Sequence, residues 1–111
     1  MTVREWLAER QPAPPAALRA RIDAVLGEAL DASADGAADR LLRAAERVVA
    51  DLLRGDCASR HSALDLLVAD ALVTYAFEAA AEVPANLAAT AGAAMERIAA
   101  LGAAQREGAI A

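Results

Sequence analysis

The first side chains whose types and spacing could do chemistry are Cys57, His61 and Asp65, which follow one another at four-residue steps. On a helix that spacing puts all three on one face. A thiolate and an imidazole one turn apart can grip a soft divalent metal, or act as nucleophile and base. Neither chemistry is complete here. The Gly55-Asp56 break puts Cys57 at or before the helix start, no second Cys/His pair exists, and one chain offers too few ligands for a closed site. The expectation is a capped helix start with a partly exposed His61 paired to Asp65, and no catalytic residue, metal or cofactor.

A second constellation is Asp70, Thr74, Glu78 and Glu82, again four residues apart, forming one polar stripe on an otherwise apolar helix. Carboxylates on adjacent turns can share a proton, bind a cation or receive arginines from another helix. The simplest reading is a solvated edge bridged by the arginines of the preceding helix. Asp70 carries most weight because it interrupts the apolar run from Leu66 to Phe77. If buried, it must be hydrogen-bonded or paired. Asp70, Thr74 and Glu78 are therefore the expected polar residues of any ligand pocket.

No GxGxxG, P-loop, HExxH, CxxC, EF-hand loop or GxSxG is present. Leu67-Val68-Ala69-Asp70-Ala71-Leu72-Val73-Thr74-Tyr75-Ala76-Phe77-Glu78 resembles the GDALL…AFE helix of polyprenyl diphosphate synthases. The resemblance covers about a tenth of the chain, with Ala69 in place of glycine. The DDxxD motifs that hold magnesium and diphosphate in that family are absent, and the chain is far too short for its fold. No activity is carried over.

The elements that must position these residues read as helices. Thr2-Val3-Arg4-Glu5 is a capping box opening a short helix to about Arg10, which Trp6 can pin to the rest. Gln11-Pro12-Ala13-Pro14-Pro15 ends it as a stiff connector. Leu18, Ile22, Val25, Leu26, Ala29 and Leu30 mark a second helix to about Asp31. Ser33 or Asp35 then caps a third over 37–54, with Leu41, Ala44, Ala45, Val48, Val49 and Leu52 on one side and Gly55 as a left-handed stop. The fourth, about 59–82, carries Leu64, Leu66, Leu67, Val68, Leu72, Val73, Tyr75 and Phe77 in nearly every direction, so it is buried on several sides. Val83-Pro84 breaks it. A fifth runs from about Ala85 to Leu101, stopped by Gly102, with a frayed tail after it.

Composition sets the fold class. Of 64 hydrophobic residues in 111 (58%), 34 are alanine and 14 leucine, leaving 30 larger apolar side chains. That supports one small core and favours helix over strand. The expected architecture is all-α: a single domain over 1–111, an up-and-down bundle of four main helices plus the short N-terminal one. The charge is −5, and all 11 basic residues are arginines spread among 16 acids. No positive face suited to nucleic acid results. The longest stretch without charge, Val83 to Met95, is too short to span a membrane. With a charged N-terminus and a lone cysteine, the expected location is the cytoplasm.

Thirty larger apolar side chains leave a thin stability margin, so a second subunit is expected. The interface is expected to bury part of the fourth or fifth helix, with Leu64, Leu67, Val68, Leu72 and Tyr75 of the fourth as its candidate residues. The expected function is a non-enzymatic homodimeric interaction or adaptor module. The alternative is a binder of small apolar ligands with a pocket near Asp70 and Thr74. An enclosed apolar cavity would favour the ligand binder, and an exposed leucine patch the interaction module.

Overall fold

The computed structural model describes residues 1–55 and 60–110. These form five α-helices and no strand: α1 (Val3–Ala8), α2 (Ala16–Leu26), α3 (Ala37–Arg54), α4 (Arg60–Ala81) and α5 (Leu87–Ile110). Short 3-10 turns, Gly27–Asp31, Ala34–Gly36 and Pro84–Asn86, join them. The all-α bundle of four main helices and one short N-terminal helix is the architecture the apolar spacing requires.

The capping box closes as expected. The Glu5 amide donates to Thr2 Oγ1 at 3.2 Å, and the Thr2 amide donates to Glu5 Oε1 at 3.1 Å. The Thr2 amide and the Thr2 hydroxyl, which both donate to Glu5 Oε1, hold the Glu5 carboxyl below its ordinary range. A two-bond bridge, Val3 N–H to Ala32 O and Ala34 N–H to Met1 O, each 2.9 Å, ties the N-terminus to the segment before α3.

α2 stops earlier than its apolar stripe suggests. Gly27 takes a left-handed φ of 53°, and the chain tightens into the 3-10 turn that buries Leu30. α3 ends where expected, but Gly55 is extended at φ −105° rather than left-handed, its amide returning to Leu52 O. α5 runs through Gly102 to Ile110. One glycine among alanines costs a helix only about 1 kcal/mol, too little to end it.

The core lies between α3 and α4. α3 contributes Leu41, Leu42, Ala44, Ala45 and Val48, and α4 contributes Val68, Ala69, Leu72 and Ala76, at three- and four-residue spacing. The two helices are antiparallel: Leu52 and Leu53 meet Ser62 and Leu66 at one end, and Ala38 and Asp39 meet Ala79 and Ala80 at the other. α2 closes one side with Ile22 and Leu26, and α1 caps that side with Val3, Trp6 and Leu7. α5 runs parallel to α3, Thr90 beside Asp39 and Leu101 beside Ala50, and an Arg97–Glu46 ion pair clasps the two. Ala94 is the only described α5 residue that is buried. No helix among the described residues is long and apolar enough to cross a membrane.

Candidate functional site

Three clusters hold the residues with chemical potential. The first centres on Asp65, the one buried charged residue among those described, 9% exposed. Arg21 of α2 grips it with both arms: Nε donates to Oδ1 at 2.8 Å and Nη2 to Oδ2 at 3.3 Å. The Arg21 hydrogen bonds outweigh desolvation and hold the Asp65 carboxyl below the usual aspartate range, while the same contact raises Arg21. His61 Nε2 lies 3.6 Å from Oδ2 as expected, but it is a secondary partner on the solvent side. Cys57 lies outside the described residues. Among those described, no group of three His, Cys, Asp or Glu side chains converges on a metal position. The cluster is a fork-shaped ion pair that fixes how α2 sits on α4.

The acidic stripe that runs along α4 to Glu82, just past its end, divides in two. Its lower half anchors α1. Trp6 Nε1 donates to Glu82 Oε1 at 2.8 Å, and the Arg10 guanidinium lies 4.0 Å over the Trp6 ring and 3.7 Å from Glu78. Trp6 is therefore the pin of the first helix. The bridging arginine is Arg10, just past the end of α1, and not one from α3, which corrects the expectation above. Of the four α3 arginines, Arg43 and Arg54 pair within their own helix, with Asp39 and Asp51. The upper half is solvated: Asp70 is exposed, and exposed Thr74 donates its hydroxyl to the Asp70 carbonyl at 2.9 Å. Asp70, Thr74 and Glu78 therefore do not converge on one pocket.

The third cluster is an apolar groove between the C-terminal half of α3 and the N-terminal half of α4. Two adjoining concavities of about 510 and 330 Å³ share Val49 and Leu66. Leu67, Val73 and Leu53 complete the apolar walls, and Asp70 stands at the edge. Both concavities open to solvent; neither is an enclosed cavity. Leu66 is 64% and Leu67 57% exposed, and on α5 Met95 is 71% exposed. The surface is large for its mass. It measures 6750 Å² for 11.4 kDa, whereas a folded monomer of that mass exposes roughly 5,800 Å². The radius of gyration is 14.5 Å, against about 13 Å for a compact domain of this length.

The five residues expected at an interface have different placements. Val68 and Leu72 are fully buried in the chain's own core, Leu64 and Tyr75 are half-buried, and Leu67 faces solvent. The core claims Val68 and Leu72 because they continue the line from Asp65 through Ala69 to Ala76 that packs on α3. Leu66, Val49 and Leu53 join Leu67 on the open side. The signal for them was helical phase: 100° per residue places positions 66 and 67 away from the 65/68/72/76 line.

Comparison with protein-family models, with curated proteins and with solved structures finds no match to this chain.

Proposed function

We propose that this chain is a non-enzymatic interaction module of the cytoplasm that works as a homodimer through the open side of α3 and α4. The observation that carries the proposal is the exposed leucine pair Leu66–Leu67 beside an uncovered apolar groove. A monomer gains nothing by leaving such a patch in water, since each buried apolar Å² stabilises by about 25 cal/mol. The chain's total surface, of which the groove is one part and the exposed faces of α5 another, exceeds that of a monomer of its mass by roughly 900–1,000 Å², of the order of the ~800 Å² per partner of a standard interface. The groove is too open to bury most of a small apolar ligand, and Thr74 Oγ1 is already engaged with the Asp70 carbonyl, so the interaction reading is preferred.

The test is light scattering of the purified protein at 5–100 micromolar, an order-of-magnitude range in which a standard interface is populated, beside the Leu66→Asp/Leu67→Asp variant. The wild type is expected as a dimer of twice 11.4 kDa. The variant is expected as a monomer with unchanged helix content, because both side chains already face solvent. A monomeric wild type refutes dimerisation, and a variant that stays dimeric refutes this surface.

A further inference from the structure

On the side of α4 opposite its buried line, Arg60, Ala63, Leu67, Asp70 and Thr74 are all exposed. Their spacing is three, four, three, four. That is the a/d spacing of a two-helix seam, here on the side facing solvent. Its two charged members stand at either end of an apolar middle formed by Ala63 and Leu67, with Leu66 on the shoulder towards the groove. Among the described residues, neither the Arg60 guanidinium nor the Asp70 carboxylate takes part in any of the chain's ion pairs.

Resting on the homodimer reading above, we infer that two copies pair α4 against α4 in antiparallel fashion, in a register set by Arg60 and Asp70. A two-fold axis crossing α4 at the level of Asp65 puts Arg60 opposite the partner's Asp70, and Asp70 opposite the partner's Arg60. It also puts Ala63 opposite the partner's Leu67, a small residue facing a large one. The ten-residue separation places each ion pair about 7.5 Å from the axis at 1.5 Å per residue. The two pairs thus bracket a dry apolar centre, and Leu66 carries the contact towards the groove.

The competing arrangements are penalised. A parallel pairing in register sets Asp70 against the partner's Asp70 and Arg60 against the partner's Arg60, two like-charge contacts. Moving the antiparallel axis half a heptad along the seam sets Leu67 against the partner's Asp70 and desolvates a carboxylate with no cation opposite. Only the register centred on Asp65 matches charge with charge and methyl with methyl. The occupant is therefore a second copy of this chain.

The test is a charge exchange in the full-length protein. Arg60→Asp and Asp70→Arg are each expected to weaken the dimer roughly 5- to 30-fold, because each change turns two exposed attractions into repulsions. Arg60→Asp/Asp70→Arg together restore both pairs, and its dissociation constant returns to within about threefold of wild type. Mixing the two single variants restores the pairs between unlike copies, so native mass spectrometry is expected to show the heterodimer in excess over both homodimers. All four positions of charge are exposed, and circular dichroism checks that the fold is kept. Single variants that dimerise as tightly as wild type, or a mixture with no heterodimer preference, overturn the register while leaving dimerisation through Leu66 and Leu67 standing. A monomeric wild type overturns both.

Discussion

Replacing Arg21 by alanine isolates the one buried charge among the described residues. Asp65 has a side chain 13% exposed, and Arg21 supplies two of its contacts from α2. Without Arg21, the carboxylate keeps, among the described residues, only His61, 3.6 Å away on a side chain 70% exposed. Breaking a fully buried ion pair from one side costs ~3–5 kcal/mol, and hydrogen bonds to charged groups contribute ~1.5–3 kcal/mol. Arg21 itself is 36% exposed, so water screens part of the pair and can reach the orphaned carboxylate. The expected loss for Arg21→Ala is about 2 kcal/mol. With an unfolding entropy of ~2.1 cal/mol/K per residue, that lowers the melting temperature by roughly 9 °C at a fixed protein concentration.

The pH dependence gives the loss its signature. Asp65 is held below the ordinary aspartate value of 3.8 in the folded wild type, so its contribution is present above that value and is lost as pH falls through the folded one. In the variant, desolvation without Arg21 raises the carboxyl instead, and protonation relieves the buried charge. The stability gap between wild type and Arg21→Ala should therefore be full at pH 7, begin to close as pH falls through the variant's raised carboxyl value, and vanish only below the wild type's lowered one, the two lying on either side of 3.8. Thermal melts followed by circular dichroism from pH 7 down to about pH 2–3 measure it. Asp65→Asn in the Arg21→Ala background should recover part of the loss at pH 7. A gap that is constant with pH, or a double variant no better than Arg21→Ala, refutes the assignment of the cost to an uncompensated Asp65 carboxylate.

Three further outcomes follow from the packing and the backbone. Leu72→Ala, at a fully buried position on the α3-facing line, should cost roughly 2–5 kcal/mol; an unchanged urea midpoint would remove α4 from the centre of the fold. Gly27→Ala should destabilise by ~1–2 kcal/mol, because φ is 53° with no neighbour near the added methyl. Gly102→Ala should stabilise by up to ~1 kcal/mol, because it lies inside α5 and meets only the flexible end of Arg106. Chemical melts of the two variants should move in opposite directions.

The helices were legible because their signals are local. Capping at Thr2 and Glu5, prolines at 12, 14, 15 and 84, and three- and four-residue apolar spacing act within a turn or two of chain. The α3 range 37–54 needed nothing more. Gly102 misled because a glycine's cost in a helix is small against the alanines on either side. Gly55 misled because a helix can also stop by turning into extended chain.

The partners of the polar side chains depended on the distant packing of the chain. The i,i+4 contact of His61 with Asp65 is local, whereas the Arg21–Asp65 fork and the Trp6–Glu82 bond span 44 and 76 residues. Asp70 interrupts the longest apolar run of α4 and reads as a candidate for burial, yet Asp65 is the residue inside. On a helix with apolar residues all round, composition cannot say which side faces inward. That was decided when α3 offered a single apolar stripe and α4 turned one face onto it. The same rotation drew Val68 and Leu72 into the core and left Leu66 and Leu67 in water. Sequence alone determined that α4 has more apolar surface than one neighbour can cover; tertiary packing decided which part stays exposed to solvent.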